Sequence, residues 1–427
     1  MRVIADLHIH SKYSRAVSPK MDIDHISQWA KIKGIDIVGT GDFTHYKWIE
    51  EIKRKLKEDG SGLLISKDKY HQKFMLTTEI SCIYKQGEGK CRKIHLIIFA
   101  PTISTVEKIN IELAKIGNIH SDGRPILGIS AYNLTKLIFD IDERCMVIPS
   151  HAWTPWFSIF GSKSGFDSIE ECFGDLSDKI YAIETGISSD PEMNWRVSSL
   201  DKITLLSNSD AHSPIKLGRE ANVFELNQKN ITYDVIVEVI KTKDVKRFPY
   251  TIEFFPEEGR YHFDGHANCK LVVDPFKKKY ADSRCPICRR PMTIGVANRV
   301  EVLADRPSFA KATEGKKNMY CYKNFPCSQH LVPLNEIIAA AYGVGVQSKK
   351  VNLEYHNLIK ENGNEFKILL DLDEKYLRDN FPERIAQGII NVRSGQIQID
   401  PGYDGIYGKV HVFQDEDLGR KQQKTLF

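Results

Sequence analysis

Seven short apolar runs rich in β-branched residues recur through the first half of the chain: "VIADLHIH", "IDIVGTGD", "FMLTTEIS", "KIHLIIFA", "MVIPSHA", "IYAIETG" and "ITLLSNSDAH". Within or at the C-terminal end of each lies a side chain able to hold a metal: His8 and His10, Asp42, Glu79, His95, His151, Glu184, then Asp210 with His212. His95 is the exception in position, falling early in its run. Helix-like segments separate most of the runs, as in "MDIDHISQWAKIKG", where Asp22 or Asp24 can cap and Gly34 can close the helix. Strands alternating with helices predict an α/β fold of parallel βα units. In a βα barrel the C-terminal strand ends converge on one mouth, which would bring these side chains to one place.

Each residue alone has a plainer reading. His95 can be a satisfied core or surface histidine, Glu79 a surface carboxylate, and Asp42 and Asp210 helix caps. So many coincidences at strand ends are less economical than one shared site. Imidazole and carboxylate donors suit zinc, manganese or iron, and a bridging carboxylate can hold two ions close together. Two-metal sites activate water and clamp both oxygens of a phosphoryl displacement. No GxSxG elbow or glycine-rich phosphate loop competes, so phosphoester hydrolysis is the expected reaction class.

Size and charge set outer limits. The 427 residues allow two or three domains, and 41% apolar residues supply their cores. Sixty basic against 56 acidic residues leave +4, so any nucleic-acid-binding surface must be local. Asp6 interrupts the first apolar stretch, and no apolar run reaches membrane-span length. No signal peptide and no membrane partner are therefore expected, and a cytoplasmic, nucleoid-associated location is. Nine cysteines, scattered or in a CxxC pair, favour thiols or metal ligands in a reducing compartment over a disulfide framework.

A second metal site follows the first half. His266-x2-Cys269, fifteen residues, then Cys285-x2-Cys288 has the spacing of a small structural zinc knuckle, with His262 competing with His266 for the fourth position. Lys277, Lys278, Lys279, Arg289 and Arg290 surround it as a basic patch that is either solvated or placed on a DNA backbone. Residues 306–330 lack periodicity and read as an insertion or mobile loop; Cys321 and Cys327 have poor metal spacing. "LVPLNEIIAAAYG" predicts a helix capped by Asn335 and ended by Gly343. "PERIAQGIINVRSG" predicts another, and "QIQIDPGYDGIYGKVHVF" a strand, a glycine-rich turn and a strand.

The motifs "DLHIH", "GTGDFTH", Glu79, His95, "PSHAW" and "SNSDAH" resemble those of the PHP (polymerase and histidinol phosphatase) superfamily. The resemblance implies a distorted seven-stranded (β/α) barrel over residues 1–235 holding two or three divalent ions (zinc, magnesium or manganese). His8, His10, Glu79 and Asp210 would hold one ion, and Glu79 would bridge to a second held by His95 and His151. Many relatives carry a further histidine after the HxH pair, where this chain reads "SKYSRAVS", and TDH where it reads "GDFTH". Asp42, His45 and His212 remain for a third ion, His212 foremost. Glu184 is expected to touch substrate or order a ligand.

With "HAWTPWFSIFG", "ETGISSDPEMNWR", "YHFDGH", "CPIC", "RVEVLADRP" and "PGYDGIYGK" added, nearly the whole chain resembles the endonuclease Q family. That resemblance implies a DNA repair endonuclease that nicks 5′ to a deaminated base (uracil, hypoxanthine or xanthine) or an abasic site. Asp210, His212 and Asp42 would be catalytic. Trp153, Trp156, Glu184, Asn194 and Arg196 are the candidates to meet substrate, the aromatic faces stacking on a base flipped from the duplex; the plainer readings are core rings and, for Asn194 and Arg196, an ordinary helix start. The implied division is a barrel (1–235), a zinc-binding domain (250–305), the 306–330 segment, a mixed helical C-terminal helix/strand domain (331–415) and a tail (416–427). In that tail Gln423, Leu426 and Phe427 resemble a sliding-clamp peptide, whose plainer reading is a disordered end. The competing functions are a small-molecule phosphatase on the same barrel and a non-catalytic, clamp-recruited DNA-binding adaptor.

Overall fold

A computed structural model describes residues 1–414 except residue 88, residues 278–282 and residues 308–317. The seven runs are strands: β1 (Arg2–Asp6), β2 (Ile37–Gly39), β3 (Lys73–Gln86), β4 (Lys90–Ala100), β5 (Met146–Pro149), β6 (Ala182–Glu184) and β7 (Thr204–Leu206). Helices α1 (Ile23–Lys33), α2 (Tyr46–Lys55), α3 (Ile103–Ile116) and α4 (Ala131–Ile141) separate several of them. Asp22 caps α1 by accepting from His25 N at 3.0 Å, and Gly34 ends it in the left-handed region, as the sequence predicts.

The strands are not uniformly parallel, which corrects the simple βα reading. β1–β2 and β2–β3 are parallel, but β3 and β4 form a long antiparallel hairpin with Gln86 paired to Lys90. β5 joins β4 antiparallel, Leu96 opposite Pro149. The reason is connection length: a parallel crossover needs a dozen or more residues, and only three lie between β3 and β4. β6 and β7 pair in parallel with each other in a separate two-stranded sheet.

Single links draw these edges together at one end. Ala152 N donates to Glu184 O at 2.9 Å, and His10 N to Ala211 O at 3.1 Å. The Asp6 carboxylate accepts from Ser209 N at 3.0 Å and Gly218 N at 2.9 Å. The first segment of the chain is thereby latched beside the segment that carries Asp210.

Beyond the seven runs, β8 (Ala221–Glu225) and β9 (Tyr250–Glu253) continue the large mixed sheet from β1. The expectation that residues 306–330 form an insertion or loop is corrected in part. Residues 308–317 lie outside the described residues, but Cys327–His330 is a strand parallel to β9, and Met319–Tyr320 pairs with it. Cys321 and Cys327 form a disulfide, against the thiol reading of these two cysteines. The other seven cysteines are free.

The C-terminal helices pack on one another. Asn335 does not cap: it lies buried inside helix Leu334–Tyr342, with Pro333 at the cap position and Gly343 ending the helix in the left-handed region. Helix Glu383–Ser394 and strands Gln398–Asp400 and Lys409–His411 follow the pattern read from the sequence. Lys33 and Glu365, both side chains 4% exposed, pair at 2.7 Å and join α1 to this helical unit. Among the described residues no helix is long and apolar enough to cross a membrane.

Candidate metal centre and active site

β1 runs into His8 and His10, two residues apart and therefore on one face of the extended chain. Each ring is oriented through its Nδ1. His8 Nδ1 donates to Glu184 Oε1 at 2.9 Å, and His10 Nδ1 to Asp42 Oδ1 at 2.9 Å. Both Nε2 atoms are thereby turned inward, the arrangement by which a carboxylate fixes the tautomer of a metal-ligating histidine.

Asp210 comes off the segment beyond β7. Its Oδ1 lies 3.2 Å from His10 Nε2, 3.9 Å from His8 Nε2 and 3.4 Å from His212 Nε2. Glu79, fully buried on β3, faces the same atoms, with Oε2 3.4 Å from His10 Nε2 and 3.8 Å from His8 Nε2. Its other oxygen turns to His95 Nδ1 at 3.0 Å and His151 Nε2 at 3.1 Å. Two clusters result, His8–His10–Asp210 and Glu79–His95–His151, each with its donor atoms within 4.8 Å of one another. Glu79 stands between them, as a bridging carboxylate would.

These residues fit the divalent ions that the fold family implies. His8 Nε2, His10 Nε2, Asp210 Oδ1 and His212 Nε2 are buried polar atoms without a hydrogen-bond partner. Such atoms are costly unless something else satisfies them, and here they converge on one point. Burial pushes the Glu79 and Asp210 carboxyls up, but the cationic groups around them outweigh it and hold both well below the usual range. Burial likewise lowers His8 and His10, and the facing carboxylates raise both well above the ordinary histidine value. His95 differs: burial, aided by His151 and Arg124, takes its pKa down to about 4, which suits a neutral ligand.

The backbone is bent to deliver these groups. Asp42 (φ 48°), His151 (φ 30°) and Asp210 (φ 46°) all adopt positive φ, a conformation that clusters where strain serves a site. Gly186 (φ 63°) permits the approach of β6 to His151, since a Cβ there would lie 2.5 Å from His151 Cβ.

Other expected residues separate into distinct places. The Asp42 carboxylate is occupied by His10, Ser11 and Ser14, so it orients His10. His45 turns away and stacks on Tyr13 at 4.6 Å. Glu184 holds His8 and also accepts from His151 N at 2.8 Å and Asn208 at 3.0 Å. Trp153 is buried, and its indole N–H donates to Asn194 Oδ1 at 2.7 Å, so both are committed within the loop. Arg196 is buried against Glu301. Trp156, in contrast, is exposed beside the centre.

Two participants are not among the expected site residues. Arg124, in an ordinary-looking "SDGRP" turn, places Nη1 3.1 Å from Glu79 Oε2. Asn208 links the two halves, accepting from Leu7 N at 2.9 Å while donating to Glu184.

The cysteine-rich site also assembles. His266, Cys269, Cys285 and Cys288 bring their donor atoms within 4.8 Å of one another, with His266 Nδ1 3.7 Å from Cys288 Sγ. His262 is absent from this group, its ring lying against Phe263. Burial raises the Cys285 thiol, but backbone N–H groups of Cys288 and Ile287 outweigh it and favour a thiolate. Lys277, Arg289 and Arg290 flank this unit exposed; Lys278 and Lys279 lie outside the described residues, as do Gln423, Leu426 and Phe427. A further cluster, Asp190, Glu192 and His330, is a buried ionic triad. His330 Nε2 lies 3.3 Å from Asp190 and its Nδ1 3.9 Å from Glu192.

Comparison with known proteins adds to this geometry. A family model described as the MJ0043 C-terminal domain matches residues 333–396. The chain is 32% identical over 262 residues to protein MJ0043 of Methanocaldococcus jannaschii, covering 61% of this chain but only 31% of that protein. It is 28% identical to YqxK of Bacillus subtilis over 425 residues, 96% of this chain and 99% of that one. Among solved structures, the lesion-specific endonuclease PfuEndoQ from Pyrococcus furiosus matches with a TM-score of 0.82 and 31% identity, over 100% of this chain and 98% of that chain. An endonuclease Q bound to a 27-mer duplex substrate with an abasic lesion at the active site matches over 100% of both chains, with a TM-score of 0.84 and 32% identity. Full-length agreement at this level, in a chain whose strand ends gather the histidine and carboxylate donors described above, makes it a member of the endonuclease Q family.

Proposed function

We propose that the protein is a metal-dependent DNA endonuclease that nicks the phosphodiester bond 5′ to a deaminated base (uracil, hypoxanthine or xanthine) or an abasic site. The observation that carries this reading is the paired cluster His8–His10–Asp210 and Glu79–His95–His151 in a chain matched end to end by lesion-acting endonucleases. The frame is read as a distorted seven-stranded PHP barrel, and His266, Cys269, Cys285 and Cys288 as a structural zinc knuckle.

His8, His10 and Asp210 would hold one ion, Glu79, His95 and His151 a second, with Glu79 between and His212 available to a third. Divalent ions so held supply Lewis acidity, activating water and neutralising charge on the phosphoryl oxygens. The protein groups orient and steer. Glu184 and Asp42 fix the His8 and His10 rings. Arg124 is the cation facing Glu79, suited to a phosphate oxygen of the substrate. Where no third ion takes its Nε2, His212, with its side chain 38% exposed and that nitrogen 3.4 Å from Asp210, is placed to pass a proton to the departing 3′-oxygen. A 3′-hydroxyl and a 5′-phosphate are the expected products. Trp156 offers the free aromatic face for a flipped nucleotide, while Trp153, Asn194 and Arg196 shape the loop that presents it. The tail residues Gln423, Leu426 and Phe427 are proposed to dock on a sliding clamp at the nucleoid, which pull-down with and without the last five residues tests.

The deciding experiment is a gel nicking assay. Duplexes with one abasic site, one uracil, one hypoxanthine or no lesion are incubated with protein and Mg²⁺, Mn²⁺ or Zn²⁺, beside Asp210→Asn. A lesion-dependent band on the 5′ side, at least about 10³-fold slower in Asp210→Asn, is expected, since losing one charge-stabilising group at a reacting centre costs on that order. Equal nicking of undamaged DNA, or none by either protein, would reject the reading.

A further inference from the structure

The glycine-rich turn "PGYDGIYGK" has no part in the metal centre, yet it is built with care. Gly402 N donates to Glu257 O at 2.7 Å, Gly408 N to Glu258 O at 3.1 Å, and Phe263 N to Gly402 O at 3.0 Å. Asp404 accepts from Ala267 N at 2.6 Å. A Cβ on Gly402 would lie 2.2 Å from Gly259 O, so only glycine allows this contact. The turn is thus bound backbone-to-backbone to residues 257–267, and what it presents is held in place.

What it presents is Tyr407, 68% exposed. Arg260 lies between that ring and Tyr261, its guanidinium carbon 5.1 Å from the Tyr407 centroid and 5.9 Å from that of Tyr261. Arg260 Nε donates to Gly405 O at 3.1 Å, which fixes the guanidinium over the turn; among the described residues no acceptor is recorded for its Nη atoms. Tyr261 in turn meets Trp156, 39% exposed, edge to face at 5.6 Å. The loop that carries Trp156 borders the metal centre: Phe157, next in sequence, lies 4.8 Å from the His95 ring. Gly259, beside Arg260, packs on the loop beyond β6 close to Ser188.

Two large exposed aromatics joined through an arginine and a third ring are not what a water-facing surface needs. Their chemistry matches unpaired nucleic-acid bases, whose flat faces stack on aromatic rings while a guanidinium answers both π-face and phosphate. A base inserted between two rings needs about twice the 3.4 Å stacking rise. Trp156 and Tyr261 meet edge to face at 5.6 Å, and the Arg260 guanidinium lies against the Tyr407 and Tyr261 rings, so no open slot separates the groups and bases lie on the outward faces of Trp156 and Tyr407. We propose that Trp156, Tyr261, Arg260 and Tyr407 form a stacking strip that takes unpaired DNA bases beside the cut. The proposal rests on DNA being the substrate and deepens that reading by naming the form of DNA held and the turn that holds it.

The test is fluorescence anisotropy of the full chain with labelled, lesion-free oligonucleotide, single-stranded or fully paired, comparing wild type with Tyr407→Ala, Arg260→Ala and Tyr407→Trp. Tyr376→Ala, an exposed aromatic on a distant helix, is the control. Tyr407→Ala should weaken single-strand binding about tenfold and paired-duplex binding less than about twofold. Tyr407→Trp should restore the loss. Single strand should also quench tryptophan emission in wild type and not in Trp156→Phe. If Tyr407→Ala and Arg260→Ala bind both forms like wild type, or lose both equally, the strip is wrong even when lesion nicking is observed. If lesion nicking fails but the single-strand loss and the quenching are seen, the strip stands and the endonuclease reading falls.

Discussion

At the scale of single residues, the candidate metal centre is held by side chains outside its donor clusters. Glu184 fixes His8 and also holds the His151 backbone, so Glu184→Gln should weaken divalent-ion binding about 10–100-fold while the protein stays folded. Competition with a chromogenic chelator, alongside a melting curve, measures both. The gathering of the candidate donors was legible because a strand end is a place where a polar residue needs a reason. Arg124 was not: arginines in turns are ordinary, and only the folded chain brings this one to Glu79. Asn194 and Arg196 could be read either way from the sequence, since a polar residue near a site can serve the loop instead of the ligand; here Asn194 holds Trp153 and Arg196 pairs with Glu301.

His330 gives a pH-dependent prediction at the same scale. Burial lowers its pKa, but Glu192, Asp190 and Glu253 outweigh that and raise it to about 10. The folded state then holds a proton that the unfolded chain releases near 6.5. This stabilisation is complete below pH 6.5 and lost as pH rises through about 10. The melting-temperature gap between wild type and His330→Gln should therefore narrow across pH 6.5–10. A gap constant over that range would contradict it.

At the scale of elements, the cysteine-rich unit has only a small apolar core of its own. Its own apolar cluster consists of Val273, Cys285 and Met292, with Cys269 and Leu271 partly covered. A core that small does not fold a segment without a metal. Cys285→Ser should cost one equivalent of zinc per chain, read by elemental analysis, and should open residues 264–292 to protease before the main sheet. This unit was readable because ligand spacing is a local property. The β3–β4 hairpin and strand Cys327–His330 were harder. Apolar alternation marks a strand but not its direction, and the second becomes a strand only because β9 offers it an edge, Glu253 opposite His330.

At the scale of the molecule, the helical unit matched by the family model is bonded to the sheet-bearing part through a buried charge. Glu365 accepts from Lys33, Tyr355 and Leu334 N at once. Glu365→Ala leaves Lys33 buried and unpaired, and should cost about 3–5 kcal/mol, measurable by urea unfolding. Lys33→Met with Glu365→Leu should recover most of the loss. Neither residue advertised itself in the sequence, because the partner lies on a helix hundreds of positions away.

The latch between Asp6 and Ser209 has a consequence for synthesis. β2, one neighbour of β1, follows it closely in the chain, but its other neighbour and Asp210 emerge some 200 residues later. At about 5–20 residues per second that is a delay of roughly 10–40 s. His8 and His10 must wait through it as an open pair, able to catch an ion loosely but not to build the cluster. A chain halted anywhere before Asp210 carries the histidines and lacks the charge that completes their cluster, so a half-made copy has no assembled site.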